Sequence, residues 1–456
     1  MKLQKQFLLS SIFLVLMLCM VQIRGSTVLI LACLTAFLIL LGWCCVQNYT
    51  LPILLFFLPW SPLMRVNPSG FSFFTIGLVL ICMISVVKKR FCFRRYHIAV
   101  GIALAFLTLL SKLLGGNGIG FDYIAFLMLI VLFPVVKEEH TAQQYDFFQT
   151  WLFFSLGVII AALSAQRFAG YGAISRYISV DGYLNIIRFC GFYGDPNFYT
   201  AQITAALGGG LYAVLRESAK RRILLLGILS FMLLYCGFLS GSKSFALVTI
   251  SIVAIWAIEL LRMHGRYGRK IILIIVAILA ALYIATSAVF RGWIDVLITR
   301  FSFSTSLSRF TTGRTELWMM YLEELLGNGK ILFLGEGFTN VKLNGRASHN
   351  TALQIIYQLG ILGAPVLAVW SYCFFKDLPK RSRSLKKKDV SSWILLIGVF
   401  LPWMAIDILF FDELFLLQWY VFVALKSMPM AADTKKTAEQ QRSSIQTRQR
   451  VRLVWK

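Results

Sequence analysis

Runs of apolar residues close to the ~20 needed to cross a bilayer recur from the N-terminus to about residue 425, and nothing constrains the fold of this chain more. Inside lipid every backbone N–H and C=O must be paired within the protein, so only helices and closed barrels span a membrane. The runs are long and rich in Leu, Ile and Phe instead of alternating, which selects helices over barrel strands. With 58% hydrophobic and 14% charged residues and a mean hydropathy of +0.75, a soluble domain is excluded. The expected fold class is all-α, a polytopic helical membrane protein.

The expected spans run approximately over 7–23, 27–46, 50–64, 71–87, 98–114, 119–136, 147–164, 197–215, 222–240, 243–261, 271–290, 349–375, 391–408 and 410–425. The third contains Pro52, Pro59 and Pro62 and is expected to be broken or re-entrant, and the last two read as a tight hairpin, giving about 12–14 crossings. Lys2 and Lys5 precede Phe7 to Ile23 as in a signal sequence, but no small-residue cleavage site follows, so this reads as an uncleaved first helix.

The net charge of +25 would suit nucleic acid, but its location argues otherwise. Basic residues cluster in short loops, at Lys88 to Arg95, Arg216 to Arg222, Arg262 to Lys270 and Lys376 to Lys388, and in the tail from Lys426 to Lys456. Such clusters beside spans mark the cytoplasmic side. With the N-terminus inside, every one of them falls on that side, and 165–196, the turn 240–243 and 291–348 fall outside. No nucleic-acid partner is expected. One transmembrane domain over 1–429 is therefore followed by a basic, disordered cytoplasmic tail over 430–456. No inverted repeat of the transporter kind is visible, and the nine cysteines have neither metal-site nor disulfide spacing.

The longest interruption of the apolar pattern ends in the stretch from Arg309 to Ala364. Thr312 is expected to cap a helix opening at Arg314 and ended by Gly327 and Gly329, with Leu317, Met320, Tyr321 and Leu325 on or near one face, so that it lies on the membrane surface. Leu334-Gly335-Glu336-Gly337 turns the chain. Lys342 and Arg346 follow, and Ser348 is expected to cap the span that begins at His349 and Asn350.

Three outward-facing cations stand near expected helix starts: Arg188, just before Gly194-Asp195-Pro196-Asn197; Lys243, after Ser240-Gly241-Ser242; and Arg314, after Gly313. For Lys243 and Arg314 the placement opposes the helix macrodipole, which favours an anion. It makes sense if a phosphate-like anion is shared between backbone N–H groups and the side chains. Taken singly, Arg188 and Lys243 are better explained as side chains snorkelling to water, and Arg314 reads as a solvated residue of a surface helix; together on one expected side, a functional role is the better reading. His349 is the one histidine at an outer helix start, where an imidazole can accept a proton from an attacking hydroxyl. Asn350, Gln354 and Gln358 form an amide stripe that either joins helices or lines a sugar site, and Asp195 and Asn197 are further candidates for sugar contacts. Asp407, Asp412 and Glu413 are weaker candidates of the same kind.

The residues RFCGFYGDPN from Arg188, the Ser240 to Lys243 turn, Gly313-Arg314-Thr315-Glu316-Leu317-Trp318, Leu334 to Gly337, and Ser348-His349-Asn350 followed by Gln358-Leu359-Gly360-Ile361-Leu362-Gly363 together resemble the O-antigen ligase and polymerase superfamily. The resemblance covers roughly 188–363; before that, only the set of spans is similar. It implies a GT-C-like fold with a large extracytoplasmic loop. The implied activity is a glycosyltransferase without metal or other cofactor in a bacterial cytoplasmic membrane, its active site on the outer face. The implied partners are a polyprenyl-diphosphate-linked glycan donor, a glycan or lipid-linked acceptor, membrane lipid, and a chain-length regulator or flippase. Arg314 and His349 match the family's arginine and histidine, implied to be catalytic, and Arg188, Lys243 and Arg314 are implied to hold the diphosphate. The family usually has arginine where Lys243 stands, and lysine lacks the bidentate fork. Polymerase and ligase share these residues. The alternative class is a transporter or flippase for lipid-linked sugars or small anions.

Overall fold

The computed structural model describes residues 2–68, 72–88, 95–115, 146–178, 180–183, 186–262, 311, 313–337, 343–376, 390–407 and 412–427, with a few positions between 292 and 302. The expected spans 119–136 and 271–290, the tail, Thr312 and Lys342 lie outside them. The helices are α1 (Lys2–Arg24), α2 (Thr27–Val46), α3 (Thr50–Phe57), α4 (Phe73–Val87), α5 (Arg95–Gly115), α6 (Phe147–Phe168), α7 (Pro196–Arg216), α8 (Lys220–Phe238), α9 (Lys243–Arg262), α10 (Arg314–Gly327), α11 (Gly329–Leu334), α12 (Thr351–Lys376), α13 (Ser391–Phe400) and α14 (Leu416–Ser427). The one sheet among the described residues is an antiparallel hairpin of β1 (Val180–Tyr183) and β2 (Ile186–Phe189), which pairs Asp181 with Arg188. Six helices, α1, α2, α6, α8, α9 and α12, are long and apolar enough to cross a membrane. This is an all-α, multi-pass membrane protein.

The third span is broken, as its prolines require: α3 gives way to a 3₁₀ turn over Leu58–Leu63. Helix α13 likewise tightens into a 3₁₀ turn over Leu401–Met404. Helix α7 is the centre of the bundle. Nearly all of it is buried, so it does not face lipid and carries Thr, Gly and Ala where the outer spans carry Leu and Ile. A Cβ on Gly208 would come within 2.9 Å of the Ile394 carbonyl oxygen, and one on Gly398 within 2.7 Å of that of Thr204. Helices α7 and α13 therefore touch backbone to backbone, as small residues allow when the lipid gives no hydrophobic drive for association.

Contacts between the spans sort the loops to two ends. At one end Gln149 donates to Gln4 (3.0 Å), Lys88 donates to the Val46 carbonyl (2.5 Å), Arg222 bonds Asp146 (3.0 Å) and Glu217 (3.3 Å), and Arg216 donates to Ser391 (2.9 Å). At the other, Gln22 donates to the carbonyls of Leu63 (3.1 Å) and Arg65 (2.9 Å), Tyr177 also donates to Arg65 (3.1 Å), and Thr351 donates to the Ile406 carbonyl (2.9 Å). Among the described residues, Lys88 and Arg216 to Arg222 thus lie at one end of the bundle, and Arg65 and Tyr177 at the other.

The segment from α10 to Gly337 is fastened at a break in α12. Gly360 has φ 66° and ψ 177°, which interrupts the helix, and the carbonyls of Tyr357 and Gln358 just before it accept instead from the N–H groups of Glu336 (2.9 Å) and Gly337 (3.1 Å). The fit is reciprocal. A Cβ on Gly360 would fall on the Phe333 carbonyl and one on Gly335, at φ 76°, on the Gln358 carbonyl, while Ser111 of α5 donates to the Gly335 carbonyl (2.9 Å). Leu334 to Gly337 is thus a plug seated in a kinked span.

Two outcomes follow. Gly360→Ala should cost about 2 kcal/mol or more, since its backbone region is nearly confined to glycine and the plug is displaced; the unfolding midpoint in detergent should drop by several degrees, and an unchanged midpoint would refute the plug. With the orientation set by loop charge, Asn344→Cys should react with an impermeant maleimide in intact cells and Ser218→Cys only after permeabilisation; the opposite pattern reverses the topology.

Candidate functional site

The outer starts of α7 and α9 are built by short polar side chains. Asp195 caps α7 by accepting from the Asn197 N–H (2.6 Å), and Pro196 takes the first helical position, as the sequence predicts. Asn197 donates its amide to Asp195 (2.9 Å) and accepts from the Ser242 hydroxyl (2.9 Å). Ser242 in turn caps α9, accepting from the Phe245 N–H (3.3 Å), while Ser240 holds the turn through the Gly237 carbonyl (2.7 Å). The two serines are architectural, and they deliver Lys243 as the first residue of α9. The Phe189 N–H donates to the Leu239 carbonyl (3.3 Å), which ties β2, and Arg188 within it, to the same turn.

At the start of α10 Gly313 occupies the cap position in the left-handed region (φ 78°), and Thr311 accepts from the Thr315 N–H (3.3 Å). The cap is therefore assembled without a side-chain bond from the residue before Arg314. Arg314 is half-buried, and Arg188 is buried, 8% exposed. Burial pushes the Arg314 guanidinium below its ordinary value, the Asp195 carboxylate raises it, and the Arg188 guanidinium lowers it. These couplings bring the three groups into one electrostatic neighbourhood. Helix α10 does not lie on the membrane by its Leu317 face, as expected from periodicity; Leu317, Tyr321 and Leu325 pack with Tyr357 of α12.

His349 is held in a left-handed conformation (φ 50°) that a residue other than glycine rarely adopts. Its neighbours impose it. The Trp318 indole N–H donates to the Ser348 carbonyl (3.0 Å), the Ser348 N–H donates to Gln354 (3.4 Å), and Ser348 bonds the backbone of Asn350 through both its N–H (3.2 Å) and C=O (3.0 Å). The cap of α12 is Asn350, which accepts from the N–H groups of Ala352 (3.0 Å) and Leu353 (3.2 Å). That corrects the expectation for Ser348, which closes the turn before the cap.

All four leading candidates converge. Arg188, Lys243, Arg314 and His349 line one cavity of about 890 Å³, with Asp195 and Asn197 in the same wall. Asn350, Gln354 and Gln358 are not among its lining residues; Gln354 and Gln358 are buried, Asn350 serves as a cap, and Gln354 braces the His349 turn. Asp407 is also buried, and Asp412 opens a 3₁₀ turn. Glu413 accepts from Ser61 (2.6 Å), whose oxygen is 3.0 Å from the Tyr193 hydroxyl, and Tyr193 reaches the cavity.

The lining also includes Tyr193, Glu316, Trp318 and Arg346, which sequence reasoning did not single out as site residues. Trp318 was within reach of it, since it stands one helical turn after Arg314, on the same face. The charged side chains of the lining are thus Arg188, Lys243, Arg314 and Arg346 against Asp195 and Glu316, an excess of cations that suits a ligand with more than one negative charge. Leu247, Leu401 and Met404 form an apolar side of the same cavity and are each 40% or more exposed. Comparison of the sequence with known protein families and with characterised proteins finds no match.

Proposed function

We propose that this chain is a membrane glycosyltransferase that moves glycan from a polyprenyl-diphosphate carrier to an acceptor sugar hydroxyl in bacterial surface-polysaccharide synthesis, as the resemblance to O-antigen ligases and polymerases implies. The observation that carries the reading is the convergence of Arg188, Lys243, Arg314 and His349 on one cavity. In the proposed step His349 takes the proton of the acceptor hydroxyl while its oxygen bonds to the anomeric carbon. The bond from that carbon to the diphosphate breaks, and its electron pair leaves with the diphosphate. Arg188, Lys243 and Arg314 meet the charge that grows there. The Asp195 carboxylate partly offsets the positive charge near Arg314. The side formed by Leu247, Leu401 and Met404 suits the carrier's apolar chain. A transporter of lipid-linked sugar would use the same cations for binding alone; its coupling site would be expected near the midplane, whereas these groups gather at one end.

Arg314→Ala should abolish transfer while the protein still inserts and elutes as wild type, and Arg314→Lys should recover only part of the rate, because the planar fork is lost. Full activity in Arg314→Ala removes it from the site.

His349→Ala should retain binding of the carrier-linked glycan and lose roughly a hundredfold or more in transfer, the scale of general-base loss. The wild-type rate should fall on acidification, since the imidazolium has no lone pair to accept the proton. Purified protein in nanodiscs with carrier-linked repeat units and chelator decides the class. Glycosidic product lost in His349→Ala supports the enzyme; movement of the lipid-linked sugar with no new bond in any condition assigns a transporter.

A further inference from the structure

Helix α10 carries a second apolar face that the fold leaves uncovered. Met319, Leu322 and Leu326 are 55%, 44% and 77% exposed, and at ~100° per residue they share an arc on the side away from Leu317 and Tyr321, while Glu316 and Glu323 lie on the flank. Phe333 on α11 is 50% exposed as well. An aqueous loop gives no reason for four large apolar side chains here.

Two rulers fix the depth of this segment. Helix α5 begins at Arg95 beside the basic loop, and a Cβ on Gly337 would come within 3.2 Å of the Lys112 backbone. Lys112 is 112 − 95 = 17 residues along that helix, roughly 25 Å at ~1.5 Å per residue. Helix α12 ends at Lys376, and Gly360, on which Phe333 and Leu334 sit, is 376 − 360 = 16 residues before it, roughly 24 Å. The hydrocarbon layer is about 30 Å thick and helix tilt only shortens these heights, so both rulers put the turn from Phe333 to Gly337 inside the apolar slab.

We infer that α11 and the Met319, Leu322 and Leu326 face of α10 are seated in the outer leaflet, with the acyl chains and headgroup boundary of the bilayer as their partner. The surface is continuous with flanks that face lipid. Leu113 and Leu114, which directly follow the Lys112 contact, are 67% and 52% exposed, and Ile361 and Leu362, next to the Gly360 contact, are 41% and 48% exposed. The placement goes beyond the chemistry proposed above and does not depend on it. Its consequence for any lipid-borne anion is that Arg314, at the start of α10, is held near headgroup depth.

The test is depth measurement on the full chain in phosphatidylcholine nanodiscs. Spin labels at Leu326→Cys and Phe333→Cys, in a background lacking the nine native cysteines, should collide with dissolved oxygen several-fold more readily than with a water-soluble nickel chelate. Labels at Glu323→Cys and Lys330→Cys should show the reverse. If the cysteine-free chain does not fold, Leu326→Trp and Phe333→Trp in the otherwise native chain should add fluorescence that dibrominated lipid quenches, whereas Lys330→Trp should add fluorescence that it spares. Preference for the water-soluble reagent at 326 and 333 overturns the inference. So does protection from both reagents, which assigns the face to a second copy or a protein partner. Activity is not a readout, so failure of this placement and failure of the transfer reaction are distinguishable.

Discussion

A backbone carbonyl in lipid must find a donor inside the protein, and this fold turns that requirement into its means of assembly. The interruptions of α3 and α12 show how. Where α3 breaks, the Leu58 carbonyl takes the Tyr193 hydroxyl (2.8 Å), and the Leu63 carbonyl takes the Gln22 amide (3.1 Å). Where α12 breaks at Gly360, the carbonyls before it take the N–H groups of Glu336 and Gly337. Each interruption is thus an anchor for an outer segment: the first holds the loop that carries Arg188 and Asp195, the second holds the segment that begins with α10 and Arg314.

The same logic explains which parts were legible in the sequence. Apolar runs give six of the expected spans among the described residues, because lipid makes length and composition decisive, and Pro59 and Pro62 announce the broken third span. Asp195-Pro196 reads correctly as a helix start because proline fixes the first position and leaves one residue to cap it. At Ser348-His349-Asn350 two competent caps lie two residues apart, and the choice is made by tertiary contacts, Trp318 on the Ser348 carbonyl and Thr351 on the Ile406 carbonyl, that no local pattern contains. The amide stripe on α12 was seen as a pattern, but periodicity does not tell which way it faces. Gln354 turns inward to brace the loop at His349. The hairpin of β1 and β2 has four residues per strand and was missed, since segments so short give no alternation to read. What the sequence did hold was the set of outer-face cations, because their oddity is local: positive side chains at helix ends that are already positive.

That oddity also bears on stability and function together. The starts of α7, α9 and α10 contribute Asn197, Lys243 and Arg314 to one cavity, so partial positive charge from three helix dipoles is added to that of the side chains. Arg188 and Arg314 disfavour each other, and Asp195, which offsets them, already accepts two hydrogen bonds from Asn197. Cations outnumber carboxylates among the lining side chains. The arrangement persists because covalent and packing constraints hold the helix starts in place, as they hold His349 at its positive φ. On the proposed reading, a bound polyanion would be attracted by these cations together, at a site whose groups need not move. In the proposed transfer the transition state would gain more than the ground state, because the negative charge on a departing phosphate would grow along the reaction while the cations that meet it stay fixed. A scaffold that holds its cations in place would, on that proposal, already be organised for group transfer.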